Sequence, residues 1–331
     1  MIAAEISSKT RGWEMYRGNR IAVVVPAYNE EQLITETLTT IPEYVDKIYA
    51  VNDGSSDDTA QIIDTLAERD SRIIPIHQKN QGVGSAIVSG YNHSLDDRID
   101  ITAVMAGDNQ MDPAHLPSLL DPIVDGDADY TKGNRLYDSN FKKGMSVWRL
   151  TGNTMLTVLT KFSSGCYNVS DPQNGYTAIS KRALLRIDPN QIFTWYGYCN
   201  DMIMRLRAKQ CRILDVSIPA RYGTEKSKIK YPVYMARISR LLVRNFITRL
   251  AIKRADGNKA QAFLSPLLGS TMAILGSIII LLMTVGTVEA PVGPYHWPPS
   301  IVLFSLPFIG ITILLYNRVI NVAAEGLRRQ D

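Results

Sequence analysis

Ile21-Ala-Val-Val-Val-Pro-Ala-Tyr-Asn-Glu30 and Lys47-Ile-Tyr-Ala-Val-Asn-Asp-Gly-Ser-Ser-Asp57 decide the fold of this chain. Each opens on an apolar, β-rich run and then breaks into small and polar residues, as strands buried on both faces of a parallel sheet do. Working outward, a helix is expected from about Glu30 to Ile41, ending before Pro42, and a second from Asp57 to Arg69. Arg72 to Ile76 reads as a third strand, Gly84 to Leu95 as a helix, and Ile101 to Met105 as a further strand. Strands alternating with helices at this spacing predict an α/β, doubly wound, mainly parallel sheet. Ligands of such sheets bind beyond the carboxyl ends of the strands. The tips there are Pro26–Glu30, Asn52–Asp57 and Ala106-Gly-Asp-Asn-Gln-Met-Asp112, and their carboxylates suggest a cation. Tyr130 to about Tyr222 is less regular and is expected to complete the sheet and build the remaining side of the site.

With 45% hydrophobic and 21% charged residues, disorder over most of the chain is excluded. A net charge of +4 is too mild to indicate a nucleic-acid partner, and none is expected. Cys166, Cys199 and Cys211 are odd in number and far apart, so they suggest reduced thiols rather than a disulfide frame or zinc site. Charged residues from Glu5 to Glu14 interrupt any apolar run that a secretory signal would need.

Chemistry is carried by Val24-Val-Pro-Ala-Tyr-Asn-Glu30, Val51-Asn-Asp-Gly-Ser-Ser-Asp-Asp-Thr59, Asn80-Gln-Gly-Val-Gly-Ser-Ala86 and Val104-Met-Ala-Gly-Asp-Asn-Gln-Met-Asp-Pro113. In this order and spacing they resemble glycosyltransferase family 2, whose nucleotide-sugar-binding domain has the GT-A fold. The resemblance runs over about residues 20 to 230. It implies that Pro26, Tyr28, Glu30 and Asp53 hold the base and ribose of a UDP- or GDP-sugar. A strand-tip Asp can accept from a base N–H, and Gly54 permits close backbone approach. The plainer reading is a turn with Asp57 capping the helix that follows.

The third loop aligns with the family's diphosphate–metal motif. Ala106 replaces the first carboxylate, while Asp108 and Gln110 remain and Asp112 is a candidate to compensate. Those three are the candidate ligands for Mg²⁺ or Mn²⁺, whose hard oxygen preference suits a diphosphate leaving group. Asp108 thus belongs to both the donor site and the catalytic set.

Lys132-Gly-Asn-Arg135, Asp171-Pro-Gln-Asn-Gly-Tyr176 and Pro219-Ala-Arg-Tyr-Gly-Thr-Glu-Lys-Ser-Lys228 resemble the dolichyl-phosphate mannose synthase group and related polyprenyl-phosphate glycosyltransferases. That resemblance implies an inverting transfer onto a polyprenyl phosphate. Arg135, Arg221 and Lys228 are candidate phosphate clamps, Arg135 also a catalytic candidate. A salt bridge for Arg135 and plain solvation for Lys228 stay open. A phosphate acceptor is already anionic and needs no general base, whereas a sugar hydroxyl on a lipid-linked glycan does. Asp201, in Tyr198-Cys-Asn-Asp201, is the candidate base in that second case and otherwise a residue that orients a nearby Lys or Arg.

No charged side chain falls from Ala260 to Val288 or from Ala290 to Asn317. Each run exceeds the roughly 20 residues that cross a bilayer core, and the Glu289–Pro299 turn between them carries interfacial Tyr and Trp, so a transmembrane hairpin is expected. From Lys226 to Lys259 there are ten Lys or Arg against one Asp, and Arg318, Arg328 and Arg329 follow the hairpin. The positive-inside rule then makes both flanks, and the catalytic domain, cytoplasmic. Tyr231 to Arg254 carries Ile238, Leu242, Phe246 and Leu250 at helical spacing among arginines, the pattern of a helix lying on a membrane. The expected divisions are an N-terminal extension (1–19), the GT-A domain (20–225), a basic interfacial segment (226–259), the hairpin (260–317) and a cytoplasmic tail (318–331).

Overall fold

The computed structural model describes residues 15–136, 147–219, 221 and 231–255. It divides into two units, Met1–Leu242 and Val243–Asp331, and of the second the described part is the end of one helix.

The apolar runs form strands in the expected order: β1 Ile21–Ala27, β2 Lys47–Asp53, β3 Ile73–Gln78 and β4 Ile101–Val104. Helices α1 Ile34–Thr39, α2 Thr59–Ala67 and α3 Val83–Asp96 connect the first four strands. Helix α1 begins later than the sequence suggested. Glu30 to Leu33 instead form a turn in which the Leu33 and Ile34 amides both donate to the Glu30 carbonyl. After α4 Leu116–Val124 come β5 Tyr130–Asn134, α5 Val147–Ser164, β6 Thr177–Ser180, α6 Lys181–Ile187, α7 Tyr198–Ala208, β7 Ile213–Ser217 and α8 Tyr231–Ala255.

The seven strands lie in the order β3-β2-β1-β4-β6-β5-β7, parallel except where β6 runs against β4 and β5. Every residue of β1 is buried. The strand alternates its side chains between two cores, Ala22 and Val24 into one and Ile21, Val23 and Val25 into the other, which is why it reads as one unbroken apolar run. The irregular Tyr130–Tyr222 region does complete the sheet. Asp129 pins that half: it accepts from the Arg212 amide at 2.8 Å, from Arg212 Nε at 3.3 Å and from the Arg182 guanidinium.

In helix α8 two residues of the apolar stripe pack on protein. Ile238 and Leu242 are buried with Leu241 and Leu156, against Phe193 and Tyr234. This part of the stripe therefore packs on protein, and burial there satisfies it without a bilayer. Among the described residues no helix is long and apolar enough to cross a membrane. The hairpin, the tail, and Lys228 all lie outside the described residues. Cys166, Cys199 and Cys211 are buried free thiols.

Candidate active site

The three polar tips meet at the carboxyl edge of β1, β2 and β4, and side chains lace them together. Asn29, held at φ 54°, donates its amide to Ser55 Oγ at 3.0 Å, and its Oδ1 accepts from the Ser56 amide at 2.8 Å. The Glu30 amide donates to Thr59 Oγ1 at 2.8 Å. Asp57 accepts from both the amide and hydroxyl of Thr59 and from the Glu31 amide. Burial alone would raise its pKa, but those donors outweigh it and hold the carboxyl below its ordinary value. Asp57 thus closes the first turn of α2, the plainer role open to it, although Asp58 occupies the cap position. The β4 loop is tied in through the Gly107 amide, 3.1 Å from the Pro26 carbonyl, and through Thr37 Oγ1, which donates to the Gly107 carbonyl at 3.2 Å.

Asp53 is 3% exposed. Its Oδ1 accepts from Gln78 Nε2 at 2.7 Å and from the Gln81 amide at 3.0 Å, while Oδ2 accepts from the Gly82 amide at 2.8 Å. A carboxylate offers about four acceptor positions, so three of them already hold the loop after β3. Gly54, at φ 70°, serves the same loop: a side chain there would meet the Asn80 amide nitrogen at 2.7 Å.

On the β4 loop, Asp108 Oδ1 accepts from the Gln110 amide at 3.2 Å. Asp112, the candidate compensating metal ligand, also caps the short 3-10 turn Pro113–His115: its Oδ1 accepts from the Ala114 amide at 2.9 Å. Its carbonyl accepts from the Tyr176 hydroxyl at 3.0 Å. Among the described residues no group of three His, Cys, Asp or Glu could hold a metal by themselves. A site with one carboxylate and nearby amide oxygens still suits Mg²⁺ or Mn²⁺, which take one or two carboxylates and fill the rest of their shell with substrate phosphates and water.

Tyr28 is 39% exposed at the rim, while Pro26 sits within the buried β1 register. Tyr196, which the motifs did not single out, lies in the segment that packs on Gly82 to Ser85. Burial and then the charges of Glu30, Asp108 and Asp53 push its pKa up, so its hydroxyl feels one carboxylate from each of the three tips. The signal in the sequence was the aromatic run Trp195-Tyr-Gly-Tyr198 shortly before Asp201.

The acceptor-side candidates fall into three situations. Arg135 makes a two-pronged pair with buried Asp171, Nε to Oδ2 at 2.8 Å and an Nη to Oδ1 at 3.2 Å, the salt bridge its sequence context left open. Arg221 meets Glu36 at 3.3 Å with both side chains about half exposed. Asp201 is fully buried on α7, where Oδ2 accepts from Arg205 Nε at 2.8 Å and from the Phe193 amide at 3.0 Å.

A mainly parallel sheet of this order, with carboxylates on three adjacent strand tips, has the architecture of the GT-A-like fold. Residues 22–187 match the glycosyl transferase family 2 domain, and the chain belongs to that family. It is 28% identical over 247 residues to the UDP-N-acetylglucosamine–dolichyl-phosphate N-acetylglucosaminyltransferase of Methanococcus voltae, covering 67% of this chain and 98% of that protein. It is 26% identical to the undecaprenyl-phosphate mannosyltransferase of Micrococcus luteus, covering 60% and 82% respectively. The polyprenol monophosphomannose synthase of Mycolicibacterium smegmatis is also 26% identical, over 60% of this chain and 76% of its own. Among solved structures, glucosyl-3-phosphoglycerate synthase from Mycobacterium tuberculosis, in complex with Mn²⁺, UDP and phosphoglyceric acid, superposes with a TM-score of 0.56. That match spans 70% of this chain and 79% of the synthase at 19% identity, and supports the fold. The chain is therefore a glycosyltransferase of GT-A-like fold.

Proposed function

We propose that this glycosyltransferase moves a sugar from a UDP- or GDP-sugar onto a polyprenyl phosphate at the cytoplasmic face of a membrane, with inversion at the anomeric carbon. The observation that carries the acceptor class is the state of Asp201. Its carboxylate is buried and bonded to Arg205 and the Phe193 amide, a poor position for taking a proton from a sugar hydroxyl. A phosphate acceptor needs no such base. The names of the archaeal and bacterial relatives, all polyprenyl- or dolichyl-phosphate transferases, support the same class.

In this reading a phosphate oxygen of the acceptor attacks the anomeric carbon. The bond from that carbon to the nucleoside diphosphate breaks and its electron pair leaves with the diphosphate. Pro26, Tyr28, Glu30 and Asp53 build the nucleotide end, Asp53 largely by shaping the loop after β3. Asp108 and Gln110, with Asp112 as the candidate to compensate for Ala106, would hold Mg²⁺ or Mn²⁺, which stabilises the charge of the departing diphosphate. Arg135 and Arg221, with Lys228, neutralise the phosphates, and the protein contributes mainly positioning and charge. The charge-free runs of 260–317 and their basic flanks support a membrane hairpin with both ends cytoplasmic.

Membranes containing the protein, incubated with a panel of radiolabelled UDP- and GDP-sugars, should yield a labelled lipid that mild acid releases, as a sugar–phosphate–lipid does. A chelator should abolish transfer, and Mg²⁺ or Mn²⁺ restore it. An acid-stable labelled lipid would instead favour transfer to a hydroxyl of a lipid-linked glycan.

A further inference from the structure

Between the 3-10 turn Pro189–Gln191 and α7 the chain runs through Ile192-Phe-Thr-Trp-Tyr-Gly197, fixed from three sides. The Ser85 amide, at the start of α3, donates to the Thr194 carbonyl at 2.9 Å. The Phe193 amide donates to Asp201 at 3.0 Å. The Trp195 ring lies under the Arg237 guanidinium at 4.1 Å, a cation–π contact to α8. Gly84 lets the segment lie this close, because a side chain there would run into the Phe193 carbonyl and come within 2.7 Å of the Thr194 carbonyl carbon.

The same stretch of chain, Gln81 to Ser85, thus receives Asp53 on one side and the 193–197 segment on the other. Within that segment Tyr196 is the large apolar side chain left exposed, at 40%. Tyr198, two residues on, is 8% exposed in the core. Gly82, whose amide Asp53 accepts, lies so close to this segment that a side chain there would meet the Thr194 carbonyl oxygen at 2.7 Å and the Trp195 ring at 2.8 Å, so Tyr196 is carried exposed beside the Asp53 turn.

We propose that Tyr196 is a donor-binding residue whose hydroxyl donates a hydrogen bond to the diphosphate of the nucleotide-sugar. The inference rests on the donor reading given above and extends it to a residue outside the strand-tip motifs. Chemically, a corner with three carboxylates is a poor place for a diphosphate until a cation and neutral donors offset them. A phenol suits that task. A phenol ordinarily loses its proton only at about pH 10, so at neutral pH it remains a donor.

The test compares wild type and Tyr196→Phe in the full chain, with Mn²⁺ present, by calorimetric titration with UDP and GDP and with uridine and guanosine. Loss of one hydrogen bond to a charged group should weaken the preferred nucleoside diphosphate about tenfold while leaving the matching nucleoside unchanged. The melting temperature should not move, and KM for the nucleotide-sugar should rise with that for the acceptor unchanged. Equal binding of the diphosphate by Tyr196→Phe would overturn the proposal, as would equal weakening of nucleoside and diphosphate, which marks a structural role. If wild type binds neither diphosphate, the donor reading itself fails, and Tyr196 with it.

Discussion

The carboxylate of Asp53, the last residue of β2, accepts the Gly82 amide at 2.8 Å and so fastens the entrance of α3 to the carboxyl end of β2. With Gln78 and Gln81 sharing the other oxygen, one side chain orders the whole Gln78–Gly82 turn.

Asp53→Asn should therefore cost stability as well as donor binding. The amide that replaces one oxygen faces N–H donors, so at least one buried donor loses its partner at about 2 kcal/mol. For a domain of this size that lowers Tm by about 4–8 °C. An unchanged melting curve would show that the turn does not depend on Asp53.

Asp201→Asn separates a bracing role from proton removal. The variant keeps the size and weakens the Arg205 contact, so turnover should fall on the order of tenfold with purified polyprenyl phosphate as acceptor. Loss of a working general base costs about 10²–10⁴-fold. A collapse of that size would move the acceptor from phosphate to hydroxyl.

Arg221 and Glu36 are both substantially exposed, and surface pairs of this kind contribute about 0–1 kcal/mol. Arg221→Ala should leave Tm nearly unchanged yet raise KM for the lipid phosphate several-fold. Unaltered acceptor KM would remove Arg221 from the phosphate clamp.

Asp129 supplies a pH signature. Burial alone would raise its pKa, but the Arg212 amide and the Arg182 and Arg212 guanidinium groups bring it down to about 2. Its stabilisation is therefore present above the unfolded-state value of about 3.9 and is lost as pH falls through about 2. Both arginines are more than half exposed, which discounts the effect to about 1–2 kcal/mol. Asp129→Asn should show a Tm deficit at pH 7 that shrinks as pH falls from about 4 to about 2. A deficit independent of pH would mean that charge plays no part.

The sequence by itself determined the first four strands of the sheet, because strands buried on both faces must be apolar throughout and leave that run in the chain, whereas β5 to β7 and the reversed β6 were decided by tertiary structure. Ile21–Ala27 and Lys47–Asp53 are legible for this reason, and so are the polar tips that follow them. It also marked which residue types gather at the rim. What each one does there was decided by tertiary structure, since a carboxylate looks the same in sequence whether it faces a ligand or an amide. Asp112 caps a turn, Asp57 closes α2, and Asp53 holds a neighbouring loop. Ile238 and Leu242 have the spacing of a membrane-lying stripe, yet Leu156, about 80 positions away, covers them. Tyr196 belongs to no strand tip, and only the close seating of the 193–197 segment on Gly82, Gly84 and Ser85 brings it beside the turn that Asp53 holds. Such contacts join residues remote in the chain, and hydrophobic periodicity, which reads only near neighbours, carries no record of them.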